Sequence, residues 1–210
     1  MSEFENSNPE ELWSLFRNNE LTRQTSGMCD GYTQANLVVL PKKEAFDFMV
    51  FAQRNPKPVP VLDVTEPGEF EPKFVAPGSD LRTDLPKYRI YENGELVEEP
   101  YDILDYWEDD FVGFLLGCSF TFEKALIDAS IPVRHREEDK NVPMYITSRD
   151  TTSGGKFSGP LVVTMRPIPS NKVVKSVKIT SRFPRVHGAP VHIGDPSEIG
   201  IEDLDDPDYG

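Results

Sequence analysis

The stretch GFLLGCSFTFEKAL, residues 113–126, decides how the chain is read. Its first half, with Phe111 and Val112 before it, is a short apolar run bounded by turn residues. That pattern predicts a central β-strand. In the second half Phe122, Ala125, Leu126 and Ala129 recur at helical spacing, with Ser119 as a candidate N-cap. The join therefore places Cys118, Ser119 and the open N–H groups of a first helical turn at a strand's C-terminal end. In open α/β sheets ligands bind there. A helix N-terminus attracts anions and lowers a thiol's pKa. The join is read as a point for binding a carboxylate, with Cys118 as thiolate or acid. A plainer reading is a small buried cysteine beside a capping serine, and spacing alone favours it.

Outward from this join the pattern stays α/β. Residues 36–40, NLVVL, read as a buried strand. A helix follows from Pro41 with Ala45, Phe46, Met49 and Ala52 on one face. Residues 58–64, PVPVLDV, read as the next strand, which completes a βαβ order. Nearer the N-terminus, Asn8-Pro9-Glu10-Glu11 opens a helix through a cap, a first-turn proline and a capping box. Asn93-Gly94 sits between two extended runs and predicts a hairpin. Residues 67–86 are loop. PMYIT (143–147) and PLVVTMRP (160–167) read as two further strands. VVKSVKIT (173–180) fits a strand by its valines and a helix face by its spacing.

The chain has 210 residues and a formal net charge of −14, which argues against nucleic acid, because phosphate binding needs clustered Lys and Arg. Cys29 and Cys118 are too few for a disulfide framework and fit a reducing compartment. No N-terminal stretch joins basic residues to an apolar run. The longest apolar run, 111–116, is far too short for a membrane span. A cytoplasmic protein is expected. Charge is uneven: residues 91–110 carry nine acidic side chains and no basic one, while Lys172, Lys175, Lys178, Arg182 and Arg185 crowd together. Complementary solvated faces are the simplest account.

GYTQANLVVLP (31–41), RNPKPVPVLDV (54–64), DLRTDLPKYRIYENG (80–94), GFLLGCSFTFEKAL, IPVRH (131–135), VPMYIT (142–147), GPLVVTMRP (159–167) and ITSRFPRVHGAPVHIGDP (179–196) resemble one family. It is that of the bacterial hydro-lyases related to mitochondrial D-glutamate cyclase. The likeness runs in order from about residue 27 to 210. Residues 1–26 are then an N-terminal helix and lead-in, and 27–210 the hydro-lyase unit. Relatives continue past the PDYG motif at 207–210, so the unit is expected to be incomplete at its C-terminus. The fold expected is α/β: a mixed β-sheet with flanking helices, in two interleaved lobes with the site between them.

The resemblance implies loss of water from a small amino acid or carboxylate such as D-glutamate, which would cyclise to 5-oxo-D-proline. Such a step needs carboxylate clamps, an acid and a base. His187 or His192 is the expected acid/base. Cys118 and Ser119 are placed near the reacting carboxylate. Arg82, Arg149 and Arg182 are read as clamps, with Arg134, His135, Arg166 and Asn36 as further substrate contacts. Asp84 and Asp195 are expected to orient a histidine or an arginine. His187, His192 and Asp195 have the composition of a metal set, but glycines and prolines separate them, so no metal is expected. No P-loop or Rossmann glycine pattern is present, so no cofactor is expected. Two other readings stand: a non-catalytic protein binding a small carboxylate or 5-oxoproline, and a Cys118-dependent amidohydrolase-type enzyme. The partner expected is a small-molecule carboxylate, with no nucleic acid or membrane. Oligomeric state is not legible, although enzymes of this size often form homodimers.

Overall fold

The computed structural model describes residues 3–210. The fold is α/β, with β-sheets flanked by helices. The chain divides into two compact units, each built from two separate segments. No described helix is long and apolar enough to cross a membrane.

One unit comprises the described residues up to Ala45 together with Leu62–Leu115. It opens with α1, Pro9–Arg17. Asn8 Oδ1 accepts from the Glu11 amide at 2.9 Å, and Glu11 reaches back to the Asn8 amide at 3.3 Å, completing the expected capping box. Leu12 and Phe16 on its inner face pack with Leu21, Met28 and Cys29. A three-stranded sheet carries β1 (Ala35–Pro41), β5 (Phe111–Gly117) and β2 (Val61–Val64) in the order β1-β5-β2. The amides of Thr65 and Gly68 donate to the carbonyls of Gly113 and Phe111, so numbers rise on one strand as they fall on the other. The Lys42 amide donates to the Asp110 carbonyl, so the end of β1 meets the start of β5 and this pair is antiparallel too. The apolar run read as a central strand is central, with Phe114 fully buried. It runs antiparallel to both neighbours, so β1 and β2 do not pair with each other. The rule that places ligands at the C-terminal ends of parallel strands does not apply to it, which corrects the reading of the join.

The hairpin signal in the same unit is realised by β3 (Ile90–Glu92) and β4 (Glu95–Glu98). Asn93 and Gly94 both adopt positive φ, 51° and 87°, as a two-residue turn of the primed type demands.

The other unit comprises Phe46–Val61 and Leu116–Gly210. Helix α2 is Lys42–Arg54, and its buried residues are Phe48 and Ala52. Of the face expected at 45, 46, 49 and 52, Ala52 is buried, but Phe46 is 76% exposed and Met49 is also exposed, so the buried face is rotated toward Phe48. Phe48 and Phe51 pack on Phe157, the first edge-on at 5.3 Å. β6 (Met144–Asp150) and β7 (Pro160–Thr164) pair antiparallel, and Tyr145 packs with Ile199 and Ile201. A second core joins Phe122, Leu126, Ile131, Val133 and Val186. VVKSVKIT is helical, as α5 in chain order after α3 (Glu123–Asp128) and α4 (Arg134–Glu137). Lys172 and Lys175 are more than a solvated face. Their ammonium groups donate to the carbonyls of Ser130 and Ala129, at the C-terminal end of α3, where a helix dipole favours cations.

Candidate active site

Strand β5 ends at Gly117, and the chain crossing there fixes the site. A Cβ on Gly117 would lie 2.2 Å from the Arg185 carbonyl oxygen, so only glycine lets residues 185–186 pass this close. The next residues form a short 3₁₀ turn, Ser119–Phe122, before the six-residue α3. Ser119 does not cap it. Cys118 occupies the cap position without a side-chain hydrogen bond, and the Ser119 hydroxyl instead accepts from Arg166 Nη2 at 3.0 Å. This corrects the capping role read from the sequence.

Behind the turn lies a carboxylate with no exposed surface. Glu123 Oε1 accepts from Arg166 Nη2 at 2.7 Å. His135 Nε2 stands 2.8 Å from the same oxygen, at ion-pair distance but off the line of a hydrogen bond. Burial works to raise the Glu123 pKa, but contact with His135 and the charge of Arg166 outweigh it. The carboxyl lies below its ordinary range and stays ionised. Arg166 is also held by Thr164, whose hydroxyl accepts from Nη1 at 2.8 Å, and its guanidinium lies over the Phe122 ring. Phe120 stacks on the His135 ring.

Two titratable groups adjoin this cluster. Burial pushes the Cys118 thiol up, despite opposing contributions from the Phe120 amide and the Arg166 charge. The thiol is therefore held neutral, opposite to the thiolate that a helix N-terminus would favour. His187 follows the segment that crosses Gly117 and adopts φ 75°. Its Nδ1 is 2.9 Å from the Lys57 carbonyl. A carbonyl only accepts, so Nδ1 carries the proton and Nε2 presents a lone pair in the neutral ring. Burial, with the charges of Lys57 and Arg166, pushes the His187 pKa down against the help of the Lys57 and Gly117 backbone. A neutral histidine, a neutral thiol and an arginine clamped from behind thus gather about the end of β5.

A family profile described as D-glutamate cyclase matches residues 112–210, the span that holds this cluster. A protein of Geobacillus kaustophilus named "putative hydro-lyase" is 64% identical over 200 residues, covering 95% of this chain and 76% of the relative. The chain belongs to the D-glutamate cyclase family of hydro-lyases. It is a lyase of that family. The likeness extends to "putative hydro-lyase" proteins of a Thermoanaerobacter species, 64% identical over 99% of this chain and 78% of the relative, and of Psychrobacter arcticus, 57% identical over 100% and 80%.

Of the residues expected at the hydro-lyase site, the structure brings together Cys118, Ser119, His135, Arg166 and His187. The others have different surroundings. His192 Nε2 lies 2.7 Å from the Asp195 carbonyl, and the Asp195 carboxylate caps a 3₁₀ turn through the Ser197 amide at 3.0 Å. Arg134 pairs with Glu137 and Glu138 on the surface of its own helix. Arg149 and Arg182 are exposed, as is Asn36 on β1. Arg82 forks onto Asp80 over the Phe70 ring, and Asp84 holds an arginine, Arg17. Among the described residues no His/Cys/Asp/Glu group has the arrangement of a metal site.

Glu123 is the residue that sequence reasoning missed. It follows Phe122 and precedes Leu126 by three positions, so it lies on the face that α3 buries. A carboxylate at an apolar helix position was the available signal.

Proposed function

We propose that the chain cyclises a small acidic amino acid, D-glutamate foremost, to 5-oxo-D-proline with loss of water. The observation that carries this reading is the arginine clamped by Glu123, Ser119 and Thr164 beside a neutral His187. Arg166 polarises the side-chain carboxylate and stabilises the oxyanion that forms when nitrogen adds. His187 Nε2 takes a proton from the ammonium, and its lowered pKa keeps the base free at neutral pH. The Cys118 thiol, held neutral, hydrogen-bonds the departing oxygen. The new bond joins nitrogen to the carboxyl carbon, and the C–O bond breaks. The two protons that nitrogen loses leave with that oxygen as water. A thiolate nucleophile fits less well, because burial disfavours the ionised form of Cys118.

The test is to incubate the purified chain with D-glutamate, L-glutamate and both 5-oxoprolines and follow interconversion by chiral chromatography. Interconversion of the D-series alone is expected. No turnover of either series would overturn the reading.

A further inference from the structure

Three hydrogen bonds join one lysine to the end of the segment that crosses Gly117. The His187 ring donates from Nδ1 to the Lys57 carbonyl at 2.9 Å. In return the Lys57 ammonium donates to the His187 carbonyl at 2.8 Å and to the Ala189 carbonyl. One residue thus holds the histidine at its ring and at its backbone. The backbone it holds is a costly one. His187 and Gly188 both take positive φ, 75° and 53°, and a histidine enters that region less readily than a glycine. Two such residues in succession turn the chain so that the carbonyl oxygens of 187 and 189 reach the same ammonium. Burial lowers the Lys57 pKa, and among the described residues no carboxylate pairs with it. Its charge rests on those two carbonyl dipoles.

The platform beneath it is stiff. Lys57 stands between Pro56 and Pro58, so both neighbours have fixed φ and its own torsions are narrowed by the proline that follows. The Val59 amide donates to the Asn55 carbonyl at 3.0 Å and closes the turn. The Asn55 amide group donates to the carbonyls of Phe51 and Thr152, each at 2.7 Å. Lys57 lies outside residues 112–210, the span of the family profile, in the Phe46–Val61 segment of the same compact unit.

We propose that Lys57 is the positioning residue of His187: its carbonyl fixes which ring nitrogen carries the proton, and its ammonium holds the left-handed backbone that carries the ring. The role rests on the reading of His187 as the base of the cyclisation. Lys57 touches no reacting atom. It acts by leaving Nε2 with its lone pair and by keeping the ring in one place, which is where much of the rate of a ring closure comes from. The ammonium also adds to the Arg166 charge in opposing protonation of the ring.

Imidazole nitrogen NMR of the intact chain, with the His187 signals assigned by their loss in His187→Gln, tests this without turnover. The wild-type ring is expected as the Nδ1–H tautomer. Lys57→Met keeps the stem and removes the ammonium. Its His187 is expected to titrate at higher pH than the wild type, because a like charge is gone while Arg166 remains. For D-glutamate, kcat is expected to fall about tenfold or more with KM within about threefold, since a displaced base costs rate more than binding. Lys57→Arg restores a cation and its donors and should recover part of both. Lys175→Met serves as the control: that ammonium donates to the Ala129 carbonyl, so its loss should lower Tm and leave the His187 titration and kcat unchanged. A wild-type ring protonated on Nε2 would overturn the assignment, and that measurement needs no variant to fold. So would a Lys57→Met protein with unchanged His187 titration whose activity falls only as its folded fraction does, which would make Lys57 a structural tie. The expected tautomer and titration without glutamate turnover would refute the reaction and leave the assignment of Lys57 standing. Turnover that survives Lys57→Met at the wild-type kcat would do the reverse.

Discussion

Cys118 and His187 lie close to the same strand end, and burial drives both toward their neutral forms. For His187 the consequence for stability has a definite sign. The unfolded chain takes up a proton near the ordinary histidine pKa of 6.5, while the folded protein resists it until lower pH. His187 therefore contributes stability above pH 6.5 that is lost as pH falls through the folded pKa. His187→Gln should flatten this acid-side decline in a melting-temperature profile while abolishing most turnover. An unchanged profile with full activity would remove His187 from the site. The two thiols give a second check at this scale. Burial raises Cys29 to about 11 and also raises Cys118. Iodoacetamide at pH 8 should label both more slowly in the native chain than in denaturant, as read by mass spectrometry. Rapid native labelling of Cys118 would mean that its thiol is ionised and accessible.

The join after β5 depends on a close backbone approach, which an alanine at 117 would block at the Arg185 carbonyl. Gly117→Ala should destabilise the protein by about 1–3 kcal/mol, several degrees in Tm. It should also displace His187, two residues beyond Arg185, so activity should fall further than the unfolded fraction explains. At α1 the effect is stability alone: Asn8→Ala removes a capping box and should cost about 1 kcal/mol with kcat unchanged. These two elements differ in how far the sequence reveals them. The α1 cap joins residues three apart and is legible in the sequence. The requirement for glycine at 117 comes from a segment nearly seventy residues later, and no local pattern signals it.

The unit that holds the candidate site is discontinuous, because Phe46–Val61 belongs with Leu116–Gly210. The first segment is tied in by several contacts. Asn55 exchanges hydrogen bonds with Thr152, Lys57 donates to the carbonyls of His187 and Ala189, and the backbone at Phe51 leaves room only for a glycine at 154. The region matching the family profile, 112–210, lacks all of these. Expressed alone, that fragment should show no cooperative thermal transition by circular dichroism, whereas the whole chain should melt cooperatively. A sharp melt of the fragment would show that residues 46–61 are dispensable to the fold.

The sequence by itself determined the α1 cap, the Asn93-Gly94 turn, the apolar strand β5 and membership of the hydro-lyase family. Each of these rests on neighbours in the chain or on long unusual motifs. Tertiary structure alone decided the antiparallel setting of β5, the rotation of the buried face of α2 and the helical state of residues 173–180. It also decided that Glu123 meets Arg166, 43 positions away, and that Asp84 serves Arg17. The physical reason is range. Backbone propensity and capping act over three or four residues. The partner of a buried charge is set by which distant side chains the packed core brings to it.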